Sequence, residues 1–145
     1  MTLQLNALSS TFAVAPVAQR KQEAKLKAWQ AVFFTLRSLC WEASKSKIFK
    51  DAIQNELLVP LAPGKRLADG TWSRPEYDQD DIKAVYSEAW TEFETQFDLA
   101  FAKATREEML AYAQSRFEMT EAAILELNRQ RTAERFNRLS EQRYH

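Results

Sequence analysis

The arginines near the carboxyl end are the residues whose type and spacing point most directly to chemistry with a partner. Residues 128–145 contain five arginines, two acids and no lysine. On a helix, Arg131, Arg135 and Arg138 would lie within about 60° of one another, a set that we call the arginine ridge. The guanidinium group is a planar fork of donors that matches phosphate and carboxylate oxygens. The ridge therefore predicts a partner with several anionic oxygens, either phosphate or carboxylate.

The charges are segregated along the chain, although the formal net charge is zero. Residues 1–66 hold ten basic and four acidic residues, and residues 67–127 hold five basic and fourteen acidic residues. Two basic clusters lie in the first of these stretches, one at Arg20–Lys27 and the other at Lys45–Lys50. Such asymmetry bears on partners rather than on fold. It predicts basic surfaces at both ends of an acidic middle.

The residue types needed for catalysis or metal binding are nearly absent. The only histidine is the terminal His145, the only cysteine is Cys40, and two glycines cannot form a phosphate-binding loop. We expect Cys40 to pack in the core, because it continues an apolar stripe of helical spacing. The acids of the third predicted helix are interpreted as a solvated face: Glu88, Glu92, Glu94 and Asp98. These observations predict a protein that is not an enzyme and uses no metal or cofactor.

The expected location is the cytoplasm. A single cysteine excludes an intrachain disulfide and suits a reducing compartment. Residues 1–16 lack the cationic start of a signal peptide, and no apolar run is long enough to span a membrane.

Hydrophobic periodicity predicts helices over most of the chain. Apolar residues spaced three and four apart indicate a buried helix from Val17, with an interruption near Ser44 or Ser46 and a second segment over 47–58. A third helix follows a cap at Asp78 or Asp80, and the Thr105–Glu108 pattern predicts a capping box for a fourth. The last segment is either continuous with the fourth helix or restarts at Thr120. Phe136 and Leu139 are expected to pack it against the protein.

Residues 59–81 form the main break, with both glycines and three of the four prolines. The Asp69-Gly70 pair is typical of a tight turn, so this segment is either a small hairpin or a functional loop. In either case we expect Trp72 to be exposed, where it could touch a partner. The predicted fold class is an all-α helical bundle of four to five helices with this one insertion. We expect an N-terminal arm over 1–16 and a single helical domain over 17–145.

The size, helix pattern and basic stretches Arg20–Lys27, Lys45–Lys50 and Arg129–Arg143 resemble the small helical subunit of multi-subunit CRISPR interference complexes of the Cascade type. The resemblance covers about 17–143 and implies an all-α subunit, present in several copies, that contacts the backbone of target DNA or guide RNA. It implies a set of backbone-contacting residues: Lys21, Lys25, Lys47, Lys50, Arg131, Arg135 and Arg138. The segment 59–81 departs from a plain bundle.

Two functions therefore stand as hypotheses. The first is a non-enzymatic subunit of an RNA-guided antiviral ribonucleoprotein complex, which binds nucleic-acid backbone and stabilises bound target DNA beside neighbouring subunits. The second is a helical protein–protein interaction module, such as a phage or bacterial inhibitor or adaptor, whose arginine ridge meets carboxylates. Pairing of Glu134 with Arg131 or Arg138 within the helix would weaken both hypotheses, because the ridge would then be a solvated face.

Overall fold

The computed structural model describes residues 16–143, and over this range the protein is an all-α helical bundle, as predicted. The part of the predicted arm at 1–15 and His145 lie outside the described residues. Within them there are four helices and no named strand: α1 (Val17–Gln54), α2 (Gln79–Phe101), α3 (Arg106–Phe117) and α4 (Glu121–Arg143).

Helix α1 runs unbroken for 38 residues, so the interruption predicted near Ser44 or Ser46 is wrong. The Ser44 hydroxyl donates to the carbonyl oxygen of Cys40 at 2.7 Å, one turn earlier. A serine that bonds back to its own helix in this way is tolerated inside it. The helix ends where Glu56 adopts a φ of 60° and the amides of Leu57 and Leu58 donate to the carbonyl oxygen of Ala52.

Between α1 and α2 the chain forms the small hairpin that was one of the two predicted alternatives. Isolated antiparallel bridges join Ala62 to Glu76 and Arg66 to Trp72. The turn uses the predicted Asp-Gly pair, with Gly70 at a φ of 88°. The side chain of Trp72 is 70% exposed, in agreement with its predicted exposure.

Local caps fix the helix starts. Asp78 caps α2 by accepting from the amide of Asp80 at 2.8 Å. Thr105 and Glu108 form the predicted capping box of α3.

The chain then leaves the helical path at Glu118, whose φ is 56°, and the Thr120 hydroxyl accepts from the amide of Ala123 at the start of α4. Of the two alternatives for the last segment, the restart at Thr120 is therefore correct.

The capping box gives a prediction for stability. Replacement of Thr105 with alanine removes the acceptor of the Glu108 amide, and we expect a loss of about 1 kcal/mol. Thr95→Ala is the control, because the Thr95 hydroxyl donates to a carbonyl inside α2 and caps nothing. Urea unfolding followed by circular dichroism measures both variants. Equal midpoints for the two would show that the capping box contributes nothing.

The described chain divides into two compact units that share α1. The first comprises the chain up to Thr35 together with the chain from Thr105 onwards, and the second is Leu36–Ala104. The single domain predicted for 17–145 stays a prediction. The core of the first unit comes from α1, α3 and α4: Val32, Phe33, Thr35, Met109, Ala113 and Ile124. The core of the second contains Leu36, Ala52, Leu58 and Phe97.

An aromatic cluster joins α1 to α2 in the second unit. The Trp41 ring lies 5.1 Å from Trp90 and 5.4 Å from Phe93, measured between centroids. Beside it, Arg37 forms ion pairs with Asp98 at 3.4 Å and Glu94 at 3.9 Å. Two of the four acids noted on this helix are thus partners of a cation on α1.

Candidate nucleic-acid interface

Helix α4 is packed at its start and exposed along its second half. Ile124 is fully buried, and Leu127, Asn128 and Arg131 are half-buried. Every residue from 132 to 139 is exposed. The arginine ridge therefore begins at the edge of the packed region and continues along a segment that is open to solvent.

The ridge continues the packed face of α4. At 100° per residue, Arg131, Arg135 and Arg138 lie within about 40° of the direction of Ile124. By the same geometry Leu139 and Phe136 point about 60° and 120° away from it. They are 60% and 70% exposed, so the expectation that they anchor the helix is wrong. Ile124 is the buried anchor, and the two predicted anchors form an exposed apolar flank beside the ridge.

No ion pair joins the three ridge arginines to any carboxylate in the part of the chain that the structure describes. Glu134 pairs with neither Arg131 nor Arg138, so the local neutralisation considered from the sequence is not formed. Arg129 behaves differently, because its guanidinium lies 2.7 Å from a carboxylate oxygen of Glu126. The hydrogen bond from Arg129 lowers the pKa of the Glu126 carboxyl, and the same bond raises the pKa of Arg129.

The predicted lysines fall into two groups. Lys21 and Lys25 are four residues apart in the first turns of α1, where every residue from 17 to 28 is exposed. Lys47 and Lys50 are three residues apart on the same helix but belong to the second unit. All four are exposed, and none forms an ion pair with a described residue.

None of the ion pairs among the described residues therefore involves a residue of the predicted site. The cations that take part in them are Arg37, Lys45, Arg106 and Arg129. The seven predicted backbone-contacting residues are absent from this set. The structure groups three of them on α4 and two at the start of α1, while the other two lie in the second unit.

Sequence reasoning missed a second group of side chains around Lys50. Arg74 and Tyr77 from the hairpin and Tyr86 from α2 line one groove with Phe49 and Lys50. The spacing of 46, 49, 50 and 53 on one helix face was the only available signal. The hairpin residues gave none, because an irregular segment has no period from which its facing side could be read.

Residues 16–143 contain neither a buried pair of Glu88 and Glu92 nor a cluster of metal ligands. Glu88 and Glu92, the acids that would mark a buried catalytic pair, are both exposed. No group of three or more metal-ligating side chains occurs among the described residues. None of the four helices is both long enough and apolar enough to cross a membrane.

Comparison with known proteins assigns no family to the chain. No protein-family model, curated protein or solved structure matches it. The resemblance to the small Cascade-type subunit stays a prediction.

Proposed function

We propose that the protein is a non-enzymatic module that binds nucleic-acid backbone through the arginine ridge of α4. One observation carries the proposal: Arg135 and Arg138 are exposed on the face that continues the packed stripe, with no carboxylate partner among the described residues. An unpaired cation does not have to break an existing ion pair before it meets an anion, so its loss of side-chain freedom is the main cost of the contact. Lys21 and Lys25 supply further unpaired charge in the same unit.

A polyanion suits a row of cations better than a single carboxylate does. The ridge positions are separated by about 6 Å and 4.5 Å along the helix axis, from the rise of 1.5 Å per residue. Phosphates recur along a nucleic acid whatever its sequence, so the row can engage more than one of them. Binding of this kind is expected to be weakly dependent on sequence and strongly dependent on salt.

In its finer form, the proposal places the protein as the small subunit of an RNA-guided, Cascade-like antiviral complex in the cytoplasm. There it would hold target DNA or guide RNA beside neighbouring subunits, including copies of itself. This form is supported by the resemblance in size, helix pattern and basic stretches. The segregation of acids and bases along the chain agrees with contacts between subunits.

The double variant Arg135→Ala/Arg138→Ala tests the proposal, because both side chains are exposed. We expect weaker binding to duplex DNA and a salt slope that is smaller by about 1.8, because each lost phosphate contact removes about 0.9. Arg116→Ala/Arg129→Ala is the matched control: it removes the same charge, but Arg129 is paired with Glu126 and Arg116 lies over the ring of Phe117. Fluorescence anisotropy of the full chain between 50 and 200 mM salt gives both quantities. An unchanged affinity and slope in the ridge variant would contradict the proposal.

A second function, protein–protein interaction, is favoured by the exposed flank of Phe136 and Leu139. An apolar flank beside unpaired arginines also suits an acidic, amphipathic partner helix. Crosslinking of the untagged protein in a lysate separates the two functions. Recovery of RNA or DNA supports the first, and recovery of one protein without nucleic acid supports the second.

A further inference from the structure

A groove in the second unit combines aromatic walls with unpaired cations. Its volume is about 600 Å³, within the range of about 300–1,000 Å³ that is usual for sites that bind small molecules. Helix α1, the hairpin and helix α2 all contribute to its lining: Ser46, Phe49, Lys50, Ile53, Arg74, Pro75, Tyr77 and Tyr86. The lining thus contains two cations, three aromatic rings and no acid.

The charged and phenolic side chains of the groove form no ion pair or hydrogen bond with other described residues. Lys50 and Arg74 form no ion pair with a described carboxylate, and the hydroxyls of Tyr77 and Tyr86 form no hydrogen bond with a described residue. Two positive charges that converge on one groove without an acid favour an anionic ligand. The phenol groups add donors beside an apolar surface.

The aromatic walls are held in place by contacts within the same unit. Tyr77 meets Phe49 edge to face at 5.5 Å, with an angle of 87° between the rings. Tyr86 meets Trp41 in the same way, at 6.3 Å and 79°. Both tyrosines are half-buried, so each keeps part of its surface free for a ligand. The groove is therefore formed before anything binds.

We propose that this groove holds one unpaired nucleotide of a single-stranded nucleic acid. The base packs on the aromatic walls, and Lys50 and Arg74 hold an adjoining phosphate. A nucleotide supplies a flat apolar face and a multi-oxygen anion in one ligand, which is the combination that this lining accepts. The choice of nucleic acid over an acidic peptide rests on the proposed function, whereas the anionic and aromatic character of the ligand comes from the groove.

The groove and the arginine ridge should discriminate differently between nucleic acids. The ridge engages phosphates, which duplexes and single strands both present. The groove can accept only a base that is not stacked within a duplex. Stacking of one such base on aromatic side chains increases affinity by about five- to 150-fold. We therefore expect the protein to bind oligo-dT about tenfold more tightly than an abasic strand of the same length.

The test measures anisotropy of the full chain with a 12-nucleotide oligo-dT, the matching abasic strand and a duplex. Arg74→Glu is the groove variant, and Arg66→Glu is its control, since it makes the same charge change in the same hairpin away from the groove. We expect Arg74→Glu to weaken oligo-dT binding about tenfold more than the control does and to reduce the preference over the abasic strand. Photocrosslinking through 4-thiothymidine should attach Tyr77 or Tyr86.

The outcomes separate this inference from the proposed function. Equal affinity for oligo-dT and the abasic strand, with crosslinks outside the groove, overturns the groove assignment and leaves the ridge intact. A preference for oligo-dT that survives in Arg74→Glu overturns it as well. No binding of any strand, with capture of an acidic peptide that Arg74→Glu abolishes, overturns both proposals and makes the groove a peptide site.

Discussion

Replacement of Ile124 with alanine is expected to destabilise the protein by about 2–5 kcal/mol, whereas replacement of Phe136 on the same helix should change stability by less than about 0.5 kcal/mol. Ile124 is fully buried, so its truncation leaves a cavity in the core of the first unit. Phe136 is 70% exposed, and its removal takes little apolar surface out of the core. The larger residue is thus predicted to have the smaller effect.

Chemical denaturation of the two variants at low protein concentration measures this difference. Thr132→Ala serves as the control, because Thr132 is exposed on the same helix and lies between the two sites. A large loss for Phe136→Ala would show that the second half of α4 is covered in solution by a second copy or another contact. A small loss for Ile124→Ala would show that α4 is not anchored by its first turns.

The fold could be predicted from the sequence because most of its signals are local. Thr105 and Glu108 form a capping box from residues three apart, and Asp69-Gly70 sets a turn by its own backbone preference. Such signals need no knowledge of the rest of the chain. The predicted interruption at Ser44 was wrong for the opposite reason. A serine can end a helix or hydrogen-bond to the helix backbone within it, and the surrounding packing determines which occurs.

The candidate site was predictable only in part. Periodicity correctly placed Arg131, Arg135 and Arg138 on one face. It did not show that Ile124 lies on that same face or that Phe136 has nothing to pack against. Helical periodicity shows which residues lie on the same face of a helix. Whether another part of the protein packs against that face depends on the tertiary structure. The groove around Lys50 and Arg74 was beyond prediction because its residues come from three separate segments.

A chain of zero net charge can keep free cations when its acids and bases are not all paired in space. Arg37, Arg106 and Arg129 each form ion pairs with carboxylates of the described helices. The ridge arginines form no ion pair with a described carboxylate, although Glu134 is close in sequence. Acids and bases are therefore balanced in number but not paired in space. This unpaired remainder, rather than the net charge, is what the proposed nucleic-acid binding uses.

Some aromatic residues are buried in the core and others are exposed to solvent. The Phe97→Ala variant tests whether Phe97 contributes to the core. Phe97 is 5% exposed, within a row of rings that includes Phe93 at 5.9 Å and Phe101 at 4.6 Å. We expect its truncation to cost about 3–5 kcal/mol, because it removes a buried ring and leaves a cavity. Leu99→Ala is the matched control on the same helix, where an 81% exposed side chain should contribute less than about 0.5 kcal/mol.

Thermal and urea unfolding of both variants checks the expectation, and equal stabilities would show that the row of rings is not part of the core. The result also bears on function. If Phe97 is needed for stability, its buried ring is committed to packing and cannot stack on bases. The aromatic surface that a nucleic acid could reach then includes Trp72 in the hairpin, Phe136 beside the arginine ridge, and the groove of Phe49, Tyr77 and Tyr86. Since the groove combines three rings with two unpaired cations, it is where base contacts should be sought first.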